Sequence, residues 1–157
     1  MTVKISLANL EDAAAIAEMS RSLIEAGLPW SWNERRVAHH VRHPDSAVIV
    51  ARDRRRVVGF AIMEFLDEHA HLSLLAVRPG YRQQGIGSEL VQWLQSSART
   101  AGIFDIRLEL RAQNRAAQRF YERLGYTIAG SRPRYYAGVE DALCMARDLS
   151  VVSAPRA

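Results

Sequence analysis

With 157 residues, 48% hydrophobic and 24% charged, the chain has the makeup of one ordinary globular domain, large enough to bury a core without staples. Its formal net charge of +4 is nearly all arginine and suits an anionic small-molecule partner, while no basic stripe or motif points to nucleic acid. No apolar run reaches the length of a membrane span, no secretory signal is recognised, and the lone Cys144 excludes an internal disulfide, so a reducing cytoplasm is the expected setting.

Val3 to Leu7 alternates apolar and polar residues and predicts a first strand. Asn9 then caps a helix, with Asp12 completing an imperfect capping box and Ile16, Met19 and Leu23 as the buried stripe, until Gly27-Leu28-Pro29 breaks it. Asn33 caps a second helix running to about Arg42 and ended by His43-Pro44. Ala47 to Ala51 and Val57 to Phe65 predict a hairpin, with the Arg52–Arg56 cluster as its solvated turn. His69 to Val77 is the next strand. Ile86, Leu90, Leu94 and Ala98 mark one face of a helix ended by Gly102. Ile106, Leu108 and Leu110 alternate with Arg107, Glu109 and Arg111 in a further strand. Asn114 opens a helix with the stripe Ala117, Phe120, Tyr121 and Leu124, closed by Gly125. Strands over Thr127 to Arg132 and Ala142 to Leu149 follow, with Cys144 expected as a buried core thiol, and Val151 to Ala157 is a frayed tail.

One segment points to chemistry. A strand ending in Leu75-Ala76-Val77 meets a Pro79-Gly80 turn, then Arg82-Gln83-Gln84-Gly85-Ile86-Gly87-Ser88 at a helix start. N–H groups at a helix start have no intrahelical partner, the helix dipole adds positive potential, and glycines let phosphate oxygens approach the main chain. A P-loop would need Gly-Lys-Ser/Thr, which is missing, and a dinucleotide fingerprint would need glycine where Leu90 stands. Arg-x-x-Gly-x-Gly behind a strand instead resembles the acetyl-coenzyme A loop of GNAT-type N-acetyltransferases. The order β-α-α-β-β-β-α-β-α-β-β is the GNAT order over nearly the whole chain. The resemblance implies an α/β fold with a mixed, mostly antiparallel sheet and helices on both faces, in a single domain over residues 1–150.

A second block, Leu108-Glu109-Leu110-Arg111 through Asn114 to Tyr121 and Gly125-Tyr126, is similar to the bacterial ribosomal-protein alanine N-acetyltransferases within that family. So are Pro29-Trp30-Ser31, Arg132-Pro133-Arg134-Tyr135-Tyr136 and Glu140-Asp141-Ala142-Leu143. The resemblance implies direct transfer of an acetyl group from acetyl-CoA to a primary amine. That reaction needs an amine that has lost its proton, a donor for the oxyanion and a proton for the leaving thiolate. Leu75, Ala76 and Val77 are expected to offer main-chain N–H groups at a bulge beside the pantetheine. Arg82, Gln83, Gln84, Gly85, Ile86, Gly87 and Ser88 are expected at the pyrophosphate, with Asn114 and Ala117 along the pantetheine; Arg119 and Arg123 either reach the adenosine phosphate or line an exposed helix face.

Tyr121 matches the family's proton donor, although a core tyrosine tied to a carbonyl would share its spacing. Glu109 is the candidate base, direct or through water, or else half of a surface ion pair with Arg107 or Arg111, which would lower its pKa. Trp30, Tyr135 and Tyr136 are acceptor-side candidates, with Trp30 alternatively plugging the helix junction. His39, His40 and His43 have no acidic or cysteine third ligand at metal spacing and are expected to be a solvated helix end, so no metal is expected. The acceptor is a protein N-terminal α-amino group or else a small-molecule amine such as an amino acid, polyamine or antibiotic; a non-catalytic acyl-CoA sensor is the remaining alternative. Oligomeric state stays open between monomer and homodimer.

Overall fold

The structure is a computed structural model and describes residues 2–151. Seven strands form one sheet: β1 (Val3–Leu7), β2 (Ser46–Asp53), β3 (Arg56–Phe65), β4 (Ala70–Val77), β5 (Asp105–Arg111), β6 (Thr127–Tyr136) and β7 (Glu140–Asp148). Their spatial order is β1-β2-β3-β4-β5-β7-β6. Every neighbouring pair is antiparallel except β4 and β5. The helices are α1 (Ala13–Met19), α2 (Glu34–Arg42), α3 (Ile86–Thr100) and α4 (Arg115–Arg123). This is the mixed α/β architecture expected. The tail, apart from Val151, lies outside the described residues.

The sheet is covered on both sides because its middle strands alternate between two cores. Ala47, Ile49 and Ala51 of β2 pack with Leu90 and Leu94 of α3. Val48 and Val50, pointing the other way, join Ile16 and Met19 of α1 and Val37 of α2. The α1–α2 side was expected to begin with one simple helix. It is three pieces instead: a 3-10 turn at Leu10–Asp12, α1, and a π-helical turn at Ser20–Ile24. Arg52 is likewise not in a solvated turn. It lies in β2 and pairs bidentately with the buried Asp12 carboxylate at 2.7 and 2.5 Å, fastening the start of the first helical segment to the sheet.

Two irregularities set the geometry of the central strands. Between β3 and β4 the register steps from Ile62↔Leu74 to Met63↔Leu72, so Ser73 is an extra residue in β4. A bulge shifts the two-residue phase of a strand. Ala70 and Leu72 therefore face α3, whereas Leu74 and Ala76 face α1 and α2. The bulge had been expected at Leu75–Val77, but those residues remain in ladder with Ala61, Phe60 and Gly59. The second irregularity is that β4 and β5 pair only at Ala70↔Ile106 and His71↔Arg107. Beyond that point the facing edges of Leu72–Val77 and Leu108–Arg111 make no ladder with each other.

Candidate active site

The loop after β4 is shaped by main-chain geometry. A 3-10 turn at Pro79–Tyr81 follows Arg78. Tyr81 donates its hydroxyl to Asp53 at 2.6 Å, and Arg82 donates Nε to the Val77 carbonyl at 3.2 Å. Gln83 and Gly85 are both left-handed, with φ of 64° and 81°, a geometry that can turn successive N–H groups to one side. Gly85 caps α3 with no side-chain hydrogen bond to the first turn. The leading N–H groups of α3 are thus without a side-chain cap at an exposed loop, as anion binding requires.

The two glycines serve different purposes. A Cβ on Gly85 would meet nothing within 4 Å, so its positive φ is what demands glycine. A Cβ on Gly87 would stand 3.1 Å from Phe120 Cζ. Beside the approach of phosphate oxygens expected of Gly87, its missing side chain lets the start of α3 close against α4. Ile86 is buried in the same core and Ser88 is half-buried.

Across that contact, Asn114 caps α4 by accepting the Ala117 N–H at 3.1 Å. Tyr121 of α4 is 8% exposed, packed edge-on against Phe120 and Tyr126. Burial, with a smaller contribution from Tyr126 and Tyr136, pushes its pKa well above the ordinary phenol value, so the hydroxyl keeps its proton at neutral pH. No described residue hydrogen-bonds this hydroxyl, and no buried side-chain oxygen among the described residues is left unsatisfied. The phenol therefore reaches open space rather than tying itself to a carbonyl. Tyr126, five residues on, is the core tyrosine, its hydroxyl donated to buried Gln95 at 3.0 Å.

Glu109 projects from the opposite face of the sheet. The neighbouring arginines do not hold it: Arg107 pairs with Asp105 at 2.8 Å, and Arg111 with Glu140 at 2.5 Å. Its partners come from farther away. His71 Nε2 lies 3.0 Å from both carboxylate oxygens, and Tyr135 donates its hydroxyl at 3.0 Å. The His71 hydrogen bond lowers the Glu109 pKa and outweighs burial, with Tyr135 and the charge of Arg132 adding to it. The same hydrogen bond raises the His71 pKa against the desolvation that would lower it. From His71 the network continues: Nδ1 is 3.0 Å from Ser73 Oγ, which donates to Glu64 at 2.5 Å.

Tyr135 reaches Glu109 because β6 leaves its ladder. The register shifts between Arg132 and Tyr136, and Pro133–Tyr135 lie outside the β7 pairing. The sequence pattern ends this strand at Arg132; in the structure it runs on, irregularly, to Tyr136. Cys144 was expected in the core. It is half-buried and pairs in register with Glu109, so the pleat sets the two on one face. Tyr136, half-buried and edge-on to Tyr135 at 5.0 Å, is an electrostatic neighbour of both Glu109 and Tyr121.

The other wall is the α1–α2 connection. Glu25 is buried and gathers the hydroxyl of Ser20 at 2.8 Å, the N–H and hydroxyl of Ser31 at 2.8 and 2.7 Å, and the Trp32 N–H at 3.3 Å. Burial alone would raise its pKa, but these donors outweigh it and keep it ionised. Arg111 donates to the Ala26 carbonyl at 2.7 Å while holding Glu140, so it braces this connection against the β6–β7 hairpin. Trp30 does not plug the helix junction: it is 43% exposed with Arg21 above its ring, and Trp32 is the buried tryptophan. His40 is not at a solvated helix end either; it is half-buried, beside Trp32 and 2.9 Å from Ser46 Oγ.

The structure thus brings Glu109, Tyr135 and Tyr136 together and places Tyr121 and Asn114 across the sheet from them. His71, Ser73 and Glu25 were missed by sequence reasoning. The available signal for His71 was its position on the polar face of a strand, but only the parallel β4–β5 register tells which carboxylate it meets.

Comparison with known proteins identifies the family. The sequence model of the acetyltransferase (GNAT) family matches residues 14–126. A ribosomal protein bS18-alanine N-acetyltransferase of Escherichia coli is 37% identical over 99 residues, covering 61% of this chain and 67% of that protein. An N-alpha-acetyltransferase of Caenorhabditis elegans is 30% identical over 119 residues, covering 71% of this chain and 65% of that protein. The crystal structure of the ribosomal-protein alanine N-acetyltransferase of Escherichia coli superposes with a TM-score of 0.81, at 30% identity and 97% coverage of both chains. Over a matched segment that takes in β4, the glycine loop, Glu109 and Tyr121, the chain belongs to the GNAT family of acetyltransferases.

Proposed function

We propose that this chain is an acetyl-CoA-dependent N-acetyltransferase acting on the α-amino group of a protein N-terminus, as one cytoplasmic catalytic domain over residues 1–150. The observation that carries the reading is the division of the site between the sheet's two faces. A protonated phenol with no hydrogen-bond partner among the described residues, Tyr121, lies on one side and a partly buried carboxylate, Glu109, on the other. Between them, beyond the pairing at His71 and Arg107, the edges of β4 and β5 make no ladder with each other.

The loop from Arg82 to Ser88 holds the cofactor's pyrophosphate by its N–H groups and by Arg82. Bound there, acetyl-CoA supplies an activated acetyl thioester. Leu75, Ala76 and Val77 carry the pantetheine, and a main-chain N–H of this segment stabilises negative charge on the carbonyl oxygen. Asn114 and Ala117, at the start of α4, border the same passage. Glu109 takes a proton from the incoming ammonium, directly or through one water, so that the amine can attack. Tyr121 gives its proton to the departing thiolate. Trp30 and the pair Tyr135–Tyr136 flank the acceptor, supporting an extended N-terminal peptide. The similarity to enzymes named for ribosomal-protein alanine and N-α acetylation supports this acceptor class.

Thiol release from acetyl-CoA tests the reading. Peptides beginning with alanine should turn over when the N-terminus is free and fail when it is blocked. Turnover confined to small amines would keep the transferase and replace the acceptor. Tight acetyl-CoA binding without turnover on any amine would favour a sensor.

A further inference from the structure

Arg111 stands two residues beyond Glu109 on β5, so the pleat sets both on one face of the sheet. A guanidinium carries its N–H donors in a fixed planar fork. Those of Arg111 divide between two segments far apart in sequence. On one side, Nε and Nη2 donate to the two carboxylate oxygens of Glu140 at 3.2 and 2.5 Å. On the other, Nη1 donates to the Ala26 carbonyl at 2.7 Å and, at 3.4 Å, to that of Ile24. The Ser20–Ile24 turn ends the first helical run there, and carbonyls at a helix end lack intrahelical partners. The guanidinium supplies the missing donors. Gly27, left-handed with a φ of 80°, turns the chain directly after this contact.

Both anchored segments lead to the aromatic residues proposed to flank the acceptor. Glu140 is the ladder partner of Tyr136, and Tyr135 is next along the same strand. The β5–β7 ladder ends at Arg111↔Ala142, followed by the Ala112 N–H on the Asp141 carbonyl at 3.0 Å. Glu140 and the tip of the hairpin lie past that end. Two side-chain contacts tie them to β5 there, Arg111 to Glu140 and Tyr135 to Glu109. On the other wall Trp30 lies between two fixed points, the Ala26 carbonyl on Arg111 and Ser31 on the buried Glu25. The Arg111 and Glu140 side chains are only 28% and 25% exposed, so water and salt screen this pair less than a surface one.

We propose that Arg111 is a positioning residue that sets the spacing of the acceptor entrance and thereby favours an extended peptide over a small amine. The inference rests on the acceptor reading given above. A peptide touches the Trp30 wall and the Tyr135–Tyr136 wall at once, and gains from both only while their separation is held. An amine no longer than one residue reaches Glu109 without spanning them. Arg111 is outside the hydrogen bonds of Glu109, whose partners are His71 and Tyr135, so its tie acts on peptide binding rather than on the chemistry. Lysine cannot take its place. An ammonium is a point charge and lacks the fork that meets a carboxylate and two carbonyls together.

The test measures kcat and KM for CoA release with an alanine-initiated peptide and with alaninamide, alongside acetyl-CoA affinity and Tm. In the wild type the peptide should be the better acceptor. Arg111→Lys should lower kcat/KM for the peptide by about 10-fold, chiefly through KM, and leave alaninamide turnover and acetyl-CoA affinity unchanged. Glu140→Gln, which spares the contacts to Ala26 and Ile24, should give the same selective loss at about 3-fold. Combined with Arg111→Lys it should add little, because the two side chains act as one tie. An arginine that only stabilised the fold would lower Tm and reduce kcat/KM for both acceptors together. Equal losses on the two acceptors, or a peptide preference untouched in both variants, overturns the inference and leaves the acetyltransferase reading standing. If Arg111→Lys does not fold, Glu140→Gln decides by the same readings. A wild type that accepts alaninamide but no peptide overturns the acceptor reading, and this inference with it.

Discussion

Between Gln83 and Ser88 the chain turns from the loop into the uncapped start of α3, and two left-handed residues, Gln83 and Gly85, set the direction of its main chain. The network around Glu109 instead draws side chains from β3, β4, β5 and β6, as far apart in sequence as Glu64 and Tyr135. The first region has a main-chain geometry that suits the phosphate proposed for it and that a short motif can encode. The second, proposed to handle a proton, has parts that meet only once the sheet has formed. A binding loop can thus be tuned by local substitutions, whereas the proton site depends on the register of four strands.

Substitutions should separate the two regions, and the largest effect falls on the proton site. Glu109→Gln keeps the shape of the side chain and should lower kcat by about 10³-fold, within the range for general base catalysis. Acetyl-CoA affinity, measured by calorimetry, should stay at the wild-type value. Tyr121→Phe should lower kcat by about 10²-fold, again with normal cofactor binding. Because its hydroxyl has no partner among the described residues, thermal stability should hold or rise slightly; a fall in both Tm and affinity would make Tyr121 a core residue only.

Asp12→Asn tests the frame that carries α1. It leaves Arg52 without its carboxylate and should cost roughly 1–3 kcal/mol of unfolding free energy by denaturant titration. The folded Asp12 pKa is lowered: burial opposes this, but Arg52 and the Asn9 N–H outweigh it. Its contribution is therefore full above the unfolded carboxylate value of about 3.9 and is lost as pH falls through the folded pKa. The stability gap between wild type and variant should close in acid. Gly87→Ala, the mildest change, should lower stability by about 1 kcal/mol through its contact with Phe120 and weaken acetyl-CoA binding a few-fold. Adding Phe120→Leu should restore most of the stability, since the two positions are in contact.

Legibility in the sequence divides along the same line. Strand and helix order could be read because alternation and four-residue spacing are local, and the Arg82–Ser88 loop because its motif is contiguous. Glu109 and Tyr121 were legible as residues, but their environments were not. Adjacent Arg107 and Arg111 suggested ion pairs with Glu109, yet each has a nearer carboxylate in Asp105 or Glu140. The bulge at Ser73 left no local signature, since it exists only relative to β3. Trp30 and Trp32 could not be ranked by burial from sequence, because Glu25, which orders Ser31 and Trp32, acts across a turn.

The most direct test of the account is CoA release from acetyl-CoA with an alanine-initiated peptide, comparing wild type with Glu109→Gln at matched cofactor saturation. The account predicts turnover by the wild type that vanishes when the N-terminus is blocked, and a drop of about 10³-fold in the variant with unchanged acetyl-CoA affinity. Equal turnover by the two proteins, or turnover of the blocked peptide, would contradict it.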